Sequence, residues 1–210
     1  MNGINLENNQ AEVIGTVDSE LSYSHEVYGE TFWSFKISVP RLSESYDVLM
    51  ITVSERILAL SPLNIGDKIM VKGQFRSYNN LSQDGNRLIL TIFAKSIDHV
   101  GTEFDAATPN YIYLNGYICK PPIYRVTPFG REIADLLLAV NRSYNKSDYI
   151  PCITWGRNAR FASKLAVGDN IKIWGRMQSR TYQKRLEDGA IEEKIAFEVS
   201  VSRLESAIKI

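Results

Sequence analysis

The stretch D-Y-I-P-C-I-T-W-G-R-N-A-R-F-A-S-K-L-A-V-G-D-N-I-K-I-W-G-R-M-Q-S-R-T-Y, from Asp148 to Tyr182, decides the fold. Side chains on a strand alternate faces with period two. Ile171, Ile173, Gly175 and Met177 therefore share one side of a strand, and Lys172, Trp174, Arg176, Gln178, Arg180 and Tyr182 share the other. An apolar side backs such a strand onto a core. Cations interleaved with rings on the other side suit a nucleic-acid strand, whose bases stack and whose phosphates pair with Lys and Arg.

Good helix formers in A-R-F-A-S-K-L, ahead of the Gly168-Asp169 break, predict a short helix over 158–165. Working outward, strands are expected at about 111–119, 131–142, 149–155, 170–182 and 193–202. Five strands with a helix between the third and fourth is the order of an OB-fold, an all-β, partly open Greek-key barrel. A two-domain sandwich stays open on periodicity alone. Gly73 and Gly175 are expected where the fourth strand bends sharply around a small barrel.

The chain repeats this pattern at an offset of about a hundred residues. A-E-V-I-G-T-V (11–17) answers Y-I-Y-L-N-G-Y-I (111–118), and I-G-D-K-I-M-V-K-G-Q-F-R-S-Y (65–78) answers V-G-D-N-I-K-I-W-G-R-M-Q-S-R-T-Y (167–182). The strand ending at Arg41 answers the one ending at Arg142, and Asp84-Gly85 answers Asp188-Gly189. Two tandem OB-folds are expected, over 1–105 and 106–210, joined through the polar stretch from Gly101 to Pro109.

The net charge of zero conceals an asymmetry. Residues 110–210 hold 16 Lys and Arg against 10 Asp and Glu; residues 1–109 hold 8 against 14. Opposite signs in the two halves hint at nucleic-acid contact by the basic one. Cys119 and Cys152 are too few for a disulfide framework and lack metal-ligand spacing, so buried thiols in a reducing cytoplasm are expected. No run of 18 apolar residues marks a membrane span, and the first ten residues do not read as a signal peptide.

On N-G-Y-I, P-P-I-Y-R-V-T-P-F-G-R-E-I-A-D-L-L-L-A-V-N-R, D-Y-I-P-C-I-T-W-G-R-N-A-R-F-A-S-K-L and G-D-N-I-K-I-W-G-R-M-Q-S-R-T-Y, the second half resembles the bacterial single-stranded DNA-binding protein family. The resemblance implies a non-enzymatic OB-fold that binds single-stranded DNA with little sequence preference, in replication, recombination or repair. It also implies a homodimer presenting four barrels. Its base-stacking rings fall on Tyr144, Tyr149, Trp155 and Tyr182, with Trp174 a further candidate whose strand face also suits a subunit contact. Tyr149 and Trp155, six apart, share a face by periodicity alone. Arg125, Arg131, Arg142, Lys146, Arg157, Lys172, Arg176 and Arg180 are the phosphate-binding candidates. The segments Arg142–Ser147 and Gln183–Lys194 resemble strand-gripping loops.

The first half keeps the scaffold but not the rings. With the repeats set in register, Ser43, Asp47 and Val53 are expected opposite Tyr144, Tyr149 and Trp155, and only Tyr78 answers a ring, Tyr182. With its acidic balance, this barrel is expected to bind DNA poorly and to serve assembly or a protein partner. Trp33, Phe35 and Ile37 share a face and are expected in its core. The chain ends S-R-L-E-S-A-I-K-I, so recruitment through an acidic tail is not expected. Catalysis is not expected either: His25 and His99 are isolated, no phosphate loop occurs, and no cofactor or metal site is implied. The rival reading is a protein–protein adaptor in which both barrels have lost nucleic-acid binding. Nothing in the sequence separates DNA from RNA.

Overall fold

The computed structural model describes residues 7–41, 43, 45–82, 85–101, 109–185, 189 and 191–206. The first repeat runs β1 (Asn9–Val17), β2 (Ser22–Val27), β3 (Glu30–Pro40), β4 (Tyr46–Ser54), α1 (Glu55–Leu60), β5 (Lys68–Ser82) and β6 (Gly85–His99). The second runs β7 (Asn110–Ile118), β8 (Ile123–Val126), β9 (Glu132–Asn141), β10 (Ser147–Trp155), α2 (Arg157–Ala162), β11 (Asn170–Arg185) and β12 (Ile191–Ser206). The expected domain boundary lies outside the described residues.

Each repeat closes into a barrel in the same way. β1 pairs with both β5 and β3, and β4 meets β6 in parallel at Ile51↔Ile92. In the second repeat β7 pairs with β11 and β9, and β10 meets β12 in parallel at Cys152↔Val199. The alternation read from the sequence fills the interiors. Phe35, Ile37, Ile51, Val71 and Phe75 are buried in the first barrel, and Leu138, Ile150, Ile171, Ile173 and Met177 in the second. Trp33 lies half-buried against the first core. Gly73 and Gly175 sit at register shifts of β5 against β6 and β11 against β12. A Cβ there would lie 2.1 Å from the Phe93 carbonyl oxygen or 2.2 Å from that of Ser200, so only glycine lets the strands approach at the bend.

Strands β2 and β8 were not anticipated. Their residues are exposed, apart from the half-buried Ser24, so neither carries the apolar–polar alternation that marks a strand lying on a core. They form the outer arms of two hairpins, β2–β3 and β8–β9, and stand at the two ends of one 12-stranded sheet.

That sheet is continuous because β1 and β7 pair antiparallel, with Ala11 opposite Ile112 and Val13 opposite Asn110. The ladder is centred on Ala11↔Ile112, which are also equivalents under the repeat, so the barrels are related by a pseudo-twofold axis through that pair. The same amide device recurs on each side. Asn9 bonds Phe75 N–H and C=O at 2.7 and 2.6 Å, and Asn110 bonds those of Met177 at 2.9 and 2.7 Å.

Candidate nucleic-acid interface

Strand β10 forms because Ile150, Cys152 and Thr154 point into the barrel and are buried, leaving 149, 151, 153 and 155 on the outside. Tyr149 is 50% exposed and Trp155 38%. Ile153 between them is covered, so the two rings bracket a filled floor about 20 Å long, at about 3.3 Å per residue. The Trp155 indole N–H donates to Ser200 Oγ at 3.2 Å, which fixes the ring against β12. Tyr144 lies in the β9–β10 turn with φ 62° and is 94% exposed. Lys146 beside it and Arg157, two residues beyond Trp155, are exposed and make no ion pair among the described residues.

Other candidates are placed differently. Trp174 lies on the outer side of β11, but Tyr113 packs on it at 5.2 Å and the Arg203 guanidinium covers its ring at 4.5 Å. The ring already holds the cation and aromatic partners that a base would need. Lys172 stands across from Glu205. Arg125 is paired to Asp135 at 2.8 Å, whereas Arg131, in the β8–β9 turn, is exposed. The side chains of Arg180 and Tyr182, and most of those from Gln183 to Lys194, lie outside the described ones. The backbone pairing of β11 with β12 runs out to Arg185↔Ile191, so much of the expected gripping loop is strand ladder.

Arg142 and Arg176, read from sequence as phosphate contacts, are engaged between the barrels. Arg142 Nε lies 3.4 Å from Asp148, which also accepts a 2.7 Å hydrogen bond from Ser77 N–H and faces Arg76 of the first barrel at 3.8 Å. Across the pseudo-twofold, Asp47 pairs with Arg41, takes Arg176 at 3.2 Å and accepts Ser179 N–H at 3.0 Å. Both carboxylates are fully buried. Burial pushes the Asp148 carboxyl above the ordinary aspartate range, against the opposing pull of Ser77 N–H and the two guanidiniums. The Tyr149 N–H donates to Ser77 Oγ at 2.7 Å, so the same interlock seats the start of the ring-bearing strand.

This geometry corrects the alignment of the halves. Val39↔Asp47 and Val140↔Asp148 are equivalent pairings, so Asp47 answers Asp148, Val48 answers Tyr149 and Ser54 answers Trp155. With Gly73 answering Gly175, Tyr78 answers Arg180 rather than Tyr182. The outer side of the first barrel does hold rings, closed on one another. His25 stacks on Phe32 at 4.8 Å, Phe32 meets Phe93 at 5.4 Å, and Arg76 caps Phe93 at 5.7 Å. The sequence contained a signal for the interlock: Arg and Asp recur six apart in each half, Arg41/Asp47 and Arg142/Asp148.

Among the described residues no group of three or more His, Cys, Asp or Glu is placed to hold a metal ion. The Cys152 thiol, fully buried, is pushed up by desolvation and is inert. Among the described residues no helix is long and apolar enough to cross a membrane.

Fold and outer face together define a tandem OB-fold protein with an aromatic, cation-flanked surface on its second barrel. The model of the Single-strand binding protein family matches residues 109–206, the second barrel. It is 36% identical over 83 residues to single-stranded DNA-binding protein A of Bacillus subtilis (strain 168), covering 36% of this chain and 48% of that one. Against single-stranded DNA-binding protein 1 of Staphylococcus aureus (strain COL) the identity is 35% over 83 residues, covering 36% and 50%. The chain thus spans about half the length of these curated relatives. Two crystal structures of the single-stranded DNA binding protein from Thermus aquaticus, a deletion mutant and the wild type, match with TM-scores of 0.74 and 0.70 at 21% identity. They cover 96% of this chain and 95% and 93% of theirs, so the shared fold extends over both barrels.

Proposed function

We propose that the chain binds single-stranded DNA without catalysis, through the outer side of its second barrel, and serves DNA replication, recombination or repair in the cytoplasm. The observation that carries this reading is β10, which holds Tyr149 and Trp155 on one exposed side with Tyr144, and with Lys146 and Arg157, unpaired among the described residues, at its ends. Each base–ring stack contributes about 1–3 kcal/mol, so these three rings supply a large share of the roughly 8 kcal/mol of a micromolar Kd, with the cations adding to it. Arg131 and Lys172 extend the surface, and the family resemblance adds Arg180 and Tyr182 as contacts. The first barrel, acidic and with His25, Phe32 and Phe93 closed on one another, serves assembly in a homodimer presenting four barrels.

The test is tryptophan fluorescence during titration with poly-dT at low and moderate salt. Quenching that weakens as salt rises is expected, with a log–log slope of about −0.7 per phosphate neutralised. Absence of both quenching and retained oligonucleotide would move the function to protein–protein adaptation. A parallel titration with poly-U separates DNA from RNA.

A further inference from the structure

The 12-stranded sheet ends in two unpaired edges, β2 and β8, which the pseudo-twofold makes equivalent in shape. An exposed strand edge is a template for another chain, and soluble proteins usually blunt it. Here β2 carries a register shift between Tyr23 and His25 and β8 is only four residues long, yet apolar side chains stay exposed along both. Tyr23 and Val27 are exposed along β2, as are Ile123, Tyr124 and Val126 along β8. Each hairpin also raises a ring before a left-handed glycine: Tyr28 before Gly29 (φ 78°), fully exposed, and Phe129 before Gly130 (φ 74°), 92% exposed.

The two edges differ in charge. Residues 18–30 carry Asp18, Glu20, Glu26 and Glu30 and no Lys or Arg; the equivalent residues 119–131 carry Lys120, Arg125 and Arg131 and no acid. Some of this is answered locally, as Glu30 pairs with Arg56 and Arg125 with Asp135. Glu20, Glu26, Lys120 and Arg131 are exposed and make no ion pair among the described residues. Two β2 edges brought together would repel, as would two β8 edges. Only β2 against β8 attracts, and like-charge repulsion is what selects one pairing over its alternatives.

We propose that copies of this chain associate head to tail, the acidic β2–β3 edge of one against the basic β8–β9 edge of the next. Such a contact is heterologous: it leaves a free edge of each kind at the ends, so it propagates into a row or closes into a ring. It is independent of the β1–β7 ladder and of any contact that forms a dimer.

The experiment is sedimentation velocity on the full chain without DNA, at low and high salt, comparing the natural protein with Glu20→Lys/Glu26→Lys and with Lys120→Glu/Arg131→Glu. The natural chain is expected to form species larger than two chains at low salt, dissolving as salt rises. Each charge-reversed variant should weaken that association roughly tenfold or more, and mixing the two should restore it, because each then offers the edge the other lacks. Circular dichroism and thermal melts establish that the variants are folded. Masses that never exceed two chains, or that ignore both reversals, overturn the proposal. So does loss of oligonucleotide binding in Lys120→Glu/Arg131→Glu with assembly unchanged, which would assign the basic hairpin to nucleic acid.

Discussion

Trp155 and Trp174 show why a tryptophan's position on a strand does not settle its role. Both lie on outward positions of barrel strands, yet Trp155 keeps an open ring while Trp174 is held between Tyr113 and Arg203. Trp155→Ala and Tyr149→Ala should each weaken oligonucleotide binding by about 1–3 kcal/mol, roughly 5- to 150-fold in Kd. Trp174→Ala should cost much less binding and more stability; anisotropy of a labelled oligonucleotide and thermal melts separate the two effects. Asp148 offers a second residue-scale test. Its carboxyl titrates above the ordinary aspartate value because it is buried. The folded state therefore holds a proton that the unfolded state has released, and stability from this group rises as pH falls through that interval. Asp148→Asn removes the titration but leaves Arg76 and Arg142 without their counter-charge. The variant should be less stable at neutral pH. The natural protein should gain on it further as pH falls toward the ordinary aspartate range, read from denaturant midpoints at each pH. A gap that narrows on acidification would contradict the assigned direction.

At the scale of elements, the strands on a core were legible and the two on an edge were not. Alternation in β9, β10 and β11 follows from burial on one side, and the sequence shows it directly. β2 and β8 are largely exposed, so their sequences carry no core-facing alternation. The bends were legible because glycine recurs at the same place in each repeat, and the physical reason is close carbonyl approach. Gly175→Ala would drive its Cβ to 2.2 Å from the Ser200 carbonyl oxygen, with backbone as the obstacle. It should cost about 3 kcal/mol or more. Gly168, with φ 94° and nothing within 4 Å of its Cβ position, makes the control. Gly168→Ala should cost about 1–2 kcal/mol, from backbone strain alone. Equal losses for the two variants would mean that the bend does not depend on that approach.

For the whole molecule, the join between barrels was the least legible feature, and its chemistry explains why. Asp47 and Asp148 read as ordinary surface charges because each finds its cross-barrel partners more than seventy residues away in sequence. A buried carboxylate stripped of its partners, or guanidiniums stripped of theirs, costs about 3–5 kcal/mol. Arg176 at one site and Arg76 at the other come from opposite barrels, so each barrel's carboxylate is neutralised partly by its neighbour. Neither interlock can be complete in an isolated barrel. Together with the β1–β7 ladder this should make the two OB-folds one cooperative unit, unfolding in a single calorimetric transition whose van't Hoff and calorimetric enthalpies agree. Asp47→Ala/Asp148→Ala should lower that transition and split it, since the core of each barrel is left intact while the link between them is cut. Because Ser77 also receives the Tyr149 N–H, the same variant should loosen the start of β10. Oligonucleotide affinity should then fall even though no proposed DNA-contacting residue has changed. A variant that melts in one sharp transition with unaltered affinity would show that the ladder alone couples the barrels, and that the buried charges do not position the binding strand.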